Sequence, residues 1–169
     1  MEKTKNLTVA AMLTAISIVI AMFCPKIIVF PPFTATLAAH VPIMIAACIS
    51  LTTVAIVGIG STIGFYFAFP ALPVVSARVA THMIFSMIGS YMLKKGCNIY
   101  LTVAITALLH AIFEMLLIFI PVFYPTQVGL GVAMAVLGIG TLIHHVIDVL
   151  LTIPIVTTLK KSKAITMII

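Results

Sequence analysis

Charge is what this chain has least of. Of 169 residues only 7% are Asp, Glu, Lys or Arg, against about a quarter in an ordinary soluble domain. Arginine occurs once, at Arg78, and acidic side chains three times, at Glu2, Glu114 and Asp148. The three cysteines, Cys24, Cys48 and Cys97, form no CxxC pair and show no metal spacing, so a disulfide framework is not expected. No Walker or other nucleotide motif occurs, and the chain carries no energy source of its own. No linker or low-complexity tail sets off a second domain, so one membrane domain over residues 1–169, with no soluble domain, is expected.

Apolar residues make up 63% of the chain and run continuously rather than in alternation. Such runs mark an integral membrane protein. Within a bilayer every backbone group must be satisfied inside the protein, which leaves helices or a closed barrel. Barrel strands would alternate in short segments, so the chain is expected to be all-α.

The first span is read as Leu7–Cys24. Met1-Glu-Lys-Thr-Lys5 before it resembles a signal peptide, but no Ala-x-Ala site closes the run and Phe23 before Cys24 does not suit a lipoprotein. The run is therefore expected to be retained. Pro25, Pro31 and Pro32 mark a loop. Residues 37–69 form one apolar stretch, about 50 Å long as a single helix and about 24 Å each as two. Ser50-Leu-Thr-Thr53 is the one polar step at which it could break. Spans Val74–Leu93, Ile99–Ile120 and Val132–Leu159 follow, with Gly96 as the helix stop after Lys94 and Lys95.

A formal charge of +6 would suggest nucleic acid in a soluble protein. Here the lysines sit at span ends and report orientation instead. With the long stretch split, Lys3, Lys5, Lys94, Lys95, Lys160, Lys161 and Lys163 share one side and only Lys26 lies opposite. That distribution predicts a six-transmembrane-helix bundle with both termini cytoplasmic. Ala11 and Ala15, Gly60 and Gly64, Ser86 and Ser90, and Ala107 and Ala111 place small residues four apart, which permits close helix packing within the bundle.

Three spans carry an ionisable pair at four-residue spacing: Arg78 with His82, His110 with Glu114, and His144 with Asp148. Each pair lies on one helical face, and such groups tend to face the bundle interior or a wet cavity. Arg78 is placed about 7 Å, and Glu114 about 9 Å, from the outer ends of their spans. His40 is placed at the outer end of the second span, and His144, His145 and Asp148 past the middle toward the cytoplasm. Arg78 and Glu114 then share a depth, where they either pair as structural ions or line a pocket. A guanidinium in a pocket is suited to a carboxylate ligand. Phe30, Phe33, Tyr66, Phe67 and Phe69 lie where they could close on a flat ring or form an interfacial belt.

Enzyme readings are weaker. His110-Ala-Ile-Phe-Glu114 is not the HExxH zinc motif. His144, His145 and Asp148 do not complete a ligand set, and Ser61 has no specific base partner by spacing. No catalytic residue and no metal site is expected. An intramembrane hydrolase and a proton-coupled secondary carrier remain as alternatives.

The chain resembles the S components of energy-coupling factor (ECF) vitamin transporters. Lys5-Asn-Leu-Thr-Val-Ala-Ala-Met-Leu-Thr-Ala15, the size, the six expected spans and the basic residues near the end carry the likeness. Phe30-Pro-Pro-Phe-Thr-Ala-Thr-Leu-Ala-Ala-His-Val-Pro42, Gly60-Ser-Thr-Ile-Gly-Phe65 and Ala77-Arg-Val-Ala-Thr-His82 resemble the niacin-type member, and beyond Leu101 no motif adds to it. The resemblance implies a non-enzymatic subunit in the cell membrane that captures nicotinate or nicotinamide from outside, with another vitamin or precursor as the alternative. It implies a lid at Pro25–Thr36, and contact with a transmembrane coupling subunit through Ala11 and Ala15. It also implies two cytoplasmic ATPases that use the ATP, with no cofactor in this chain. The substrate-binding residues expected are Arg78, His82, His40, Glu114, Phe33, Tyr66 and His110.

Overall fold

A computed structural model describes residues 2–30, 33–70, 73–123, 129–163 and 165–169. Helix α1 (Glu2–Phe23) leads into strands β1 (Lys26–Phe30) and β2 (Phe33–Thr36). Helices α2 (Val41–Ala47), α3 (Leu51–Ala68), α4 (Pro73–Lys94), α5 (Ile99–Leu116) and α6 (Leu130–Ser162) follow. Leu117–Phe119 and Pro121–Phe123 are single 3₁₀ turns after α5.

The α1, α3, α5 and α6 regions are each long and apolar enough to cross a membrane. Helix α4 has similar length, with 22 residues, but Arg78, Thr81, His82, Ser86 and Ser90 interrupt its apolar character. The chain is thus an α-helical membrane protein.

The stretch 37–69 departs from two equal spans. It does break beside Ser50, whose Oγ accepts from Thr53 N and caps α3, satisfying a donor the helix cannot satisfy itself. The first piece, α2, has only seven residues and rises about 10 Å, too little to cross. All seven are buried. Helix α2 packs against α1, α3, α4 and α6 and sits inside the bundle rather than at its edge.

The expected loop Pro25–Thr36 contains an antiparallel hairpin, with Lys26 opposite Thr36 and Ile28 opposite Thr34. Ile27, Ile28 and Val29 are β-branched and favour extended backbone. Of the loop expected between the last two spans, residues 124–128, which include Tyr124 and Gln127, lie outside the described residues, and α6 already begins at Leu130.

Close packing of α1 on α3 depends on glycine. A Cβ on Gly60 would come within 2.6 Å of Thr14 Cγ2, and one on Gly64 would strike Ile18. This Gly60/Gly64 pair therefore packs within the chain. Ala11 and Ala15, on the same helix as Thr14 and Ile18, are exposed. Helix α4 stops as expected: Gly96 has φ of 77°, its N–H bonds Leu93 O, and Cys97 N bonds Met92 O. Those two bonds form a Schellman cap. After α6 the chain folds back, and Ile168 N donates to Cys48 O at the end of α2.

Candidate functional site: a buried arginine, glutamate and histidine network

Arg78 on α4 divides its guanidinium between two elements. Nη2 donates to Glu114 Oε2 on α5 at 2.8 Å. Nη1 donates to the Thr34 carbonyl at 2.9 Å and to Thr34 Oγ1 at 3.1 Å, on strand β2. The expected equality of depth between Arg78 and Glu114 is thus realised as a direct ion pair. Its side chains are only 13% and 2% exposed.

Glu114 is a junction. Thr141 Oγ1 on α6 donates to the same Oε2 at 2.7 Å. Oε1 faces His110 Nε2 at 3.2 Å and His82 Nε2 at 3.6 Å. From His82 the network passes to His40, Nε2 to Nε2 at 3.1 Å. His110 meets His145, Nδ1 to Nδ1 at 3.2 Å.

Asp148 is the second junction. Its Oδ2 accepts from His40 N at 2.9 Å and faces His40 Nδ1 at 2.7 Å, while Oδ1 accepts from Ala38 N at 3.0 Å. His144 Nε2 lies 3.3 Å from Oδ2 and 3.0 Å from the Thr36 carbonyl. Ala38 holds a left-handed backbone, φ 65°, a conformation that is strained for a residue with a Cβ. The bond to Asp148 holds it there.

Five histidines, the only arginine and both acids beyond Glu2 therefore meet in one network drawn from the hairpin, the turn at 37–40, α4, α5 and α6. His40 does stand at the N-terminal end of α2, but its side chain turns into the bundle. It is 1% exposed and bonds Asp148, a residue placed on the far side of mid-membrane by counting along its helix. The hairpin and the turn at 37–40 carry the chain inward before α2 begins, so counting rises along a continuous helix misplaces His40. It is the N-cap residue of α2, but its side chain makes no capping bond.

Of the expected binding residues, Arg78, His82, His40, Glu114 and His110 are brought together. Tyr66 is not. It is half-exposed on α3 with its ring against Phe67 at 5.7 Å, because the face of α3 that packs inward carries Phe65. Phe33 lies in β2, and its side chain and that of Phe30 lie outside the described residues. Ser61 donates to backbone carbonyls of Val57 and Gly58 in its own helix rather than to a histidine.

Sequence reasoning passed over Thr34, Thr141 and Phe85, and gave His145 no role. Thr141, His144, His145 and Asp148 recur at steps of three, one and three, which is one helical face. Reading that face whole would have found Thr141 and His145. Phe85 packs its ring against His110 at 4.5 Å and His145 at 5.1 Å, giving the network an aromatic wall. Beyond that wall, toward the Lys94–Ile99 turn, lies a cavity of about 470 Å³ bounded by Phe85, Ser86, Thr106, His145 and Ile153.

A multi-pass helical bundle with a buried, highly polar centre is the architecture of a membrane protein that handles a polar solute. No family profile and no solved structure matches the chain. It is, however, 33% identical over 173 aligned positions to the niacin transporter NiaX of Lactococcus lactis subsp. cremoris (strain MG1363), across 95% of this chain and 77% of that protein. The chain belongs to the niacin transporter family that its motifs resemble, and a transporter relative points to a non-enzyme role.

Proposed function

We propose that the protein is the substrate-capturing membrane subunit of an energy-coupling factor importer, taking up niacin from outside the cell. The observation that carries this reading is the division of Arg78 between Glu114 and Thr34. One arm of the guanidinium already holds a carboxylate, so a carboxylate ligand meets a preformed partner. The other arm ties the hairpin over the site, so the same residue senses ligand and lid. Nicotinate would take Arg78 through its carboxylate. Nicotinamide would instead donate its amide to Glu114. His82, His40 and His110 surround the ring, with Phe85 behind them. The NiaX relative supports niacin as the first vitamin to test.

In this reading the chain makes six passes of the cell membrane with both termini cytoplasmic, as the lysine distribution favours. The hairpin and α2 together supply the second pass. Exposed Ala11 and Ala15 offer a smooth helix face to a transmembrane coupling subunit. Two cytoplasmic ATPases supply the energy, and this chain needs no cofactor for that.

Labelled nicotinate and nicotinamide binding to the purified protein tests the substrate. Saturable binding of either, lost in Arg78→Ala, is expected. Tight binding of a different vitamin, with neither niacin form bound, overturns the substrate. Unchanged affinity in Arg78→Ala overturns the role of Arg78.

A further inference from the structure

The histidines below Arg78 do more than fill space. Ligand atoms of His40, His82 and His110 all lie within 4.8 Å of one another, and all three residues are buried. His40 Nε2 and His82 Nε2 are 3.1 Å apart, His110 Nε2 and Glu114 Oε1 are 3.2 Å apart, and His82 Nε2 and Glu114 Oε1 are 3.6 Å apart. A tetrahedral ion with bonds of about 2.0–2.1 Å separates its ligand atoms by about 3.3–3.4 Å. The His40–His82 separation lies near that value, the three histidines lie within reach of one ion, and Glu114 stands beside them.

The surroundings are those a metal-binding histidine needs. Such a histidine has its second ring nitrogen held by an outer partner, which sets the tautomer. His40 Nδ1 is held by Asp148 Oδ2 at 2.7 Å, which turns the lone pair of Nε2 toward His82. His110 Nδ1 is held by His145 Nδ1 at 3.2 Å, leaving Nε2 toward Glu114. Charge points the same way. With imidazoles neutral, the Arg78 guanidinium stands against the two carboxylates of Glu114 and Asp148, a net charge of −1. A site of that sign is ill suited to an anion.

We propose that His40, His82 and His110 bind one divalent metal ion of the zinc type beside Glu114, and that the ion prepares the site for an anionic ligand. The ion turns a net charge of −1 into +1, which one carboxylate ligand neutralises. It also draws Glu114 through Oε1, weakening the hold of Oε2 on Arg78. The metal site stands on the geometry, while its coupling to nicotinate rests on the proposed function.

The test uses full-length, tag-free protein in detergent, stripped with EDTA and reloaded with zinc. Metal analysis should find one zinc per chain. Cobalt in its place should give the visible absorption of a tetrahedral nitrogen and oxygen site. His82→Ala and His110→Ala should lose the metal, and His144→Ala should keep it. Zinc should also raise the melting temperature of the unmutated protein, since a ligand that binds only the folded state stabilises it; that readout does not depend on any variant folding. Nicotinate should bind at least tenfold more tightly with zinc than with EDTA, and nicotinamide should respond little. Failure of the unmutated protein to take up stoichiometric zinc overturns the site. So does zinc lost in His144→Ala but kept in His110→Ala, which would place it between His40, His144 and Asp148. Nicotinate bound tightly by zinc-free protein, with no zinc taken up, removes this inference and leaves the proposed function. Zinc bound by His82 and His110 with neither niacin form bound removes the function and leaves the metal site.

Discussion

Asp148 Oδ2 lies 2.7 Å from His40 Nδ1 and 2.9 Å from His40 N, joining α6 to the turn before α2 across 108 residues of sequence. With Ala38 N on its other oxygen, Asp148 holds the whole entry to α2 in place. A buried acceptor with this many donors cannot be removed without leaving them unpaired.

Replacing Asp148 should therefore destabilise the fold itself. Asp148→Ala is expected to cost about 3–5 kcal/mol, the usual penalty for breaking a buried ionic group away from its partners. Asp148→Asn keeps one acceptor oxygen and should fall between the two. Thermal unfolding in detergent ranks the three proteins. An Ala variant melting with the unmutated protein would show that Asp148 does not hold the turn.

Glu114→Gln should change ligand preference rather than simply weaken binding. The carboxylate now competes with any ligand carboxylate for Arg78 at 2.8 Å. A neutral amide of the same shape removes that competition and offers a poorer acceptor to nicotinamide. The ratio of nicotinate to nicotinamide affinity, measured by competition at fixed pH on EDTA-treated protein, should rise about tenfold, or about 1.4 kcal/mol. A fall in that ratio would contradict the placing of nicotinate on Arg78.

Thr34 should prove tolerant despite its position. Arg78 bonds its backbone carbonyl as well as its hydroxyl, and Thr34→Ala removes only the latter. The loss is one hydrogen bond to a charged group, about 1.5–3 kcal/mol at most. The retained carbonyl should hold it at the low end, about tenfold or less in nicotinate affinity. A collapse of binding would mean that the hydroxyl, not the carbonyl, ties the hairpin down.

The two faces of α1 should separate stability from coupling. Gly60→Val forces a branched side chain into Thr14, and overpacking of this kind costs about 1–3 kcal/mol, readable as a lower melting temperature. Ala11→Leu, on the exposed face, should leave melting and ligand binding alone and reduce uptake in cells that carry the coupling subunit. Unimpaired uptake by Ala11→Leu and Ala15→Leu together would remove this face from the coupling contact.

Helical periodicity made much of the site legible. Arg78 with His82, His110 with Glu114, and His144 with Asp148 each lie one turn apart, so their shared faces follow from 3.6 residues per turn alone. Equal depth of Arg78 and Glu114 followed from counting helical rises from the span ends, and the pair does meet. The membrane class and the stops at Ser50 and Gly96 were determined the same way, by local chemistry that needs no partner. Where the backbone leaves the helix, counting fails. Nothing local says that Lys26–Phe30 and Phe33–Thr36 pair as strands, that α2 spans only seven residues, or that His40 turns inward to Asp148. Those outcomes depend on donors at Ala38 and His40 finding one carboxylate 108 to 110 residues away. Which histidine faces which is likewise a matter of how four elements pack, because five similar rings offer many pairings by sequence and one by close packing. The sequence by itself determined that costly polar groups lie on inward faces of membrane helices; only the tertiary structure decided that they form a single network.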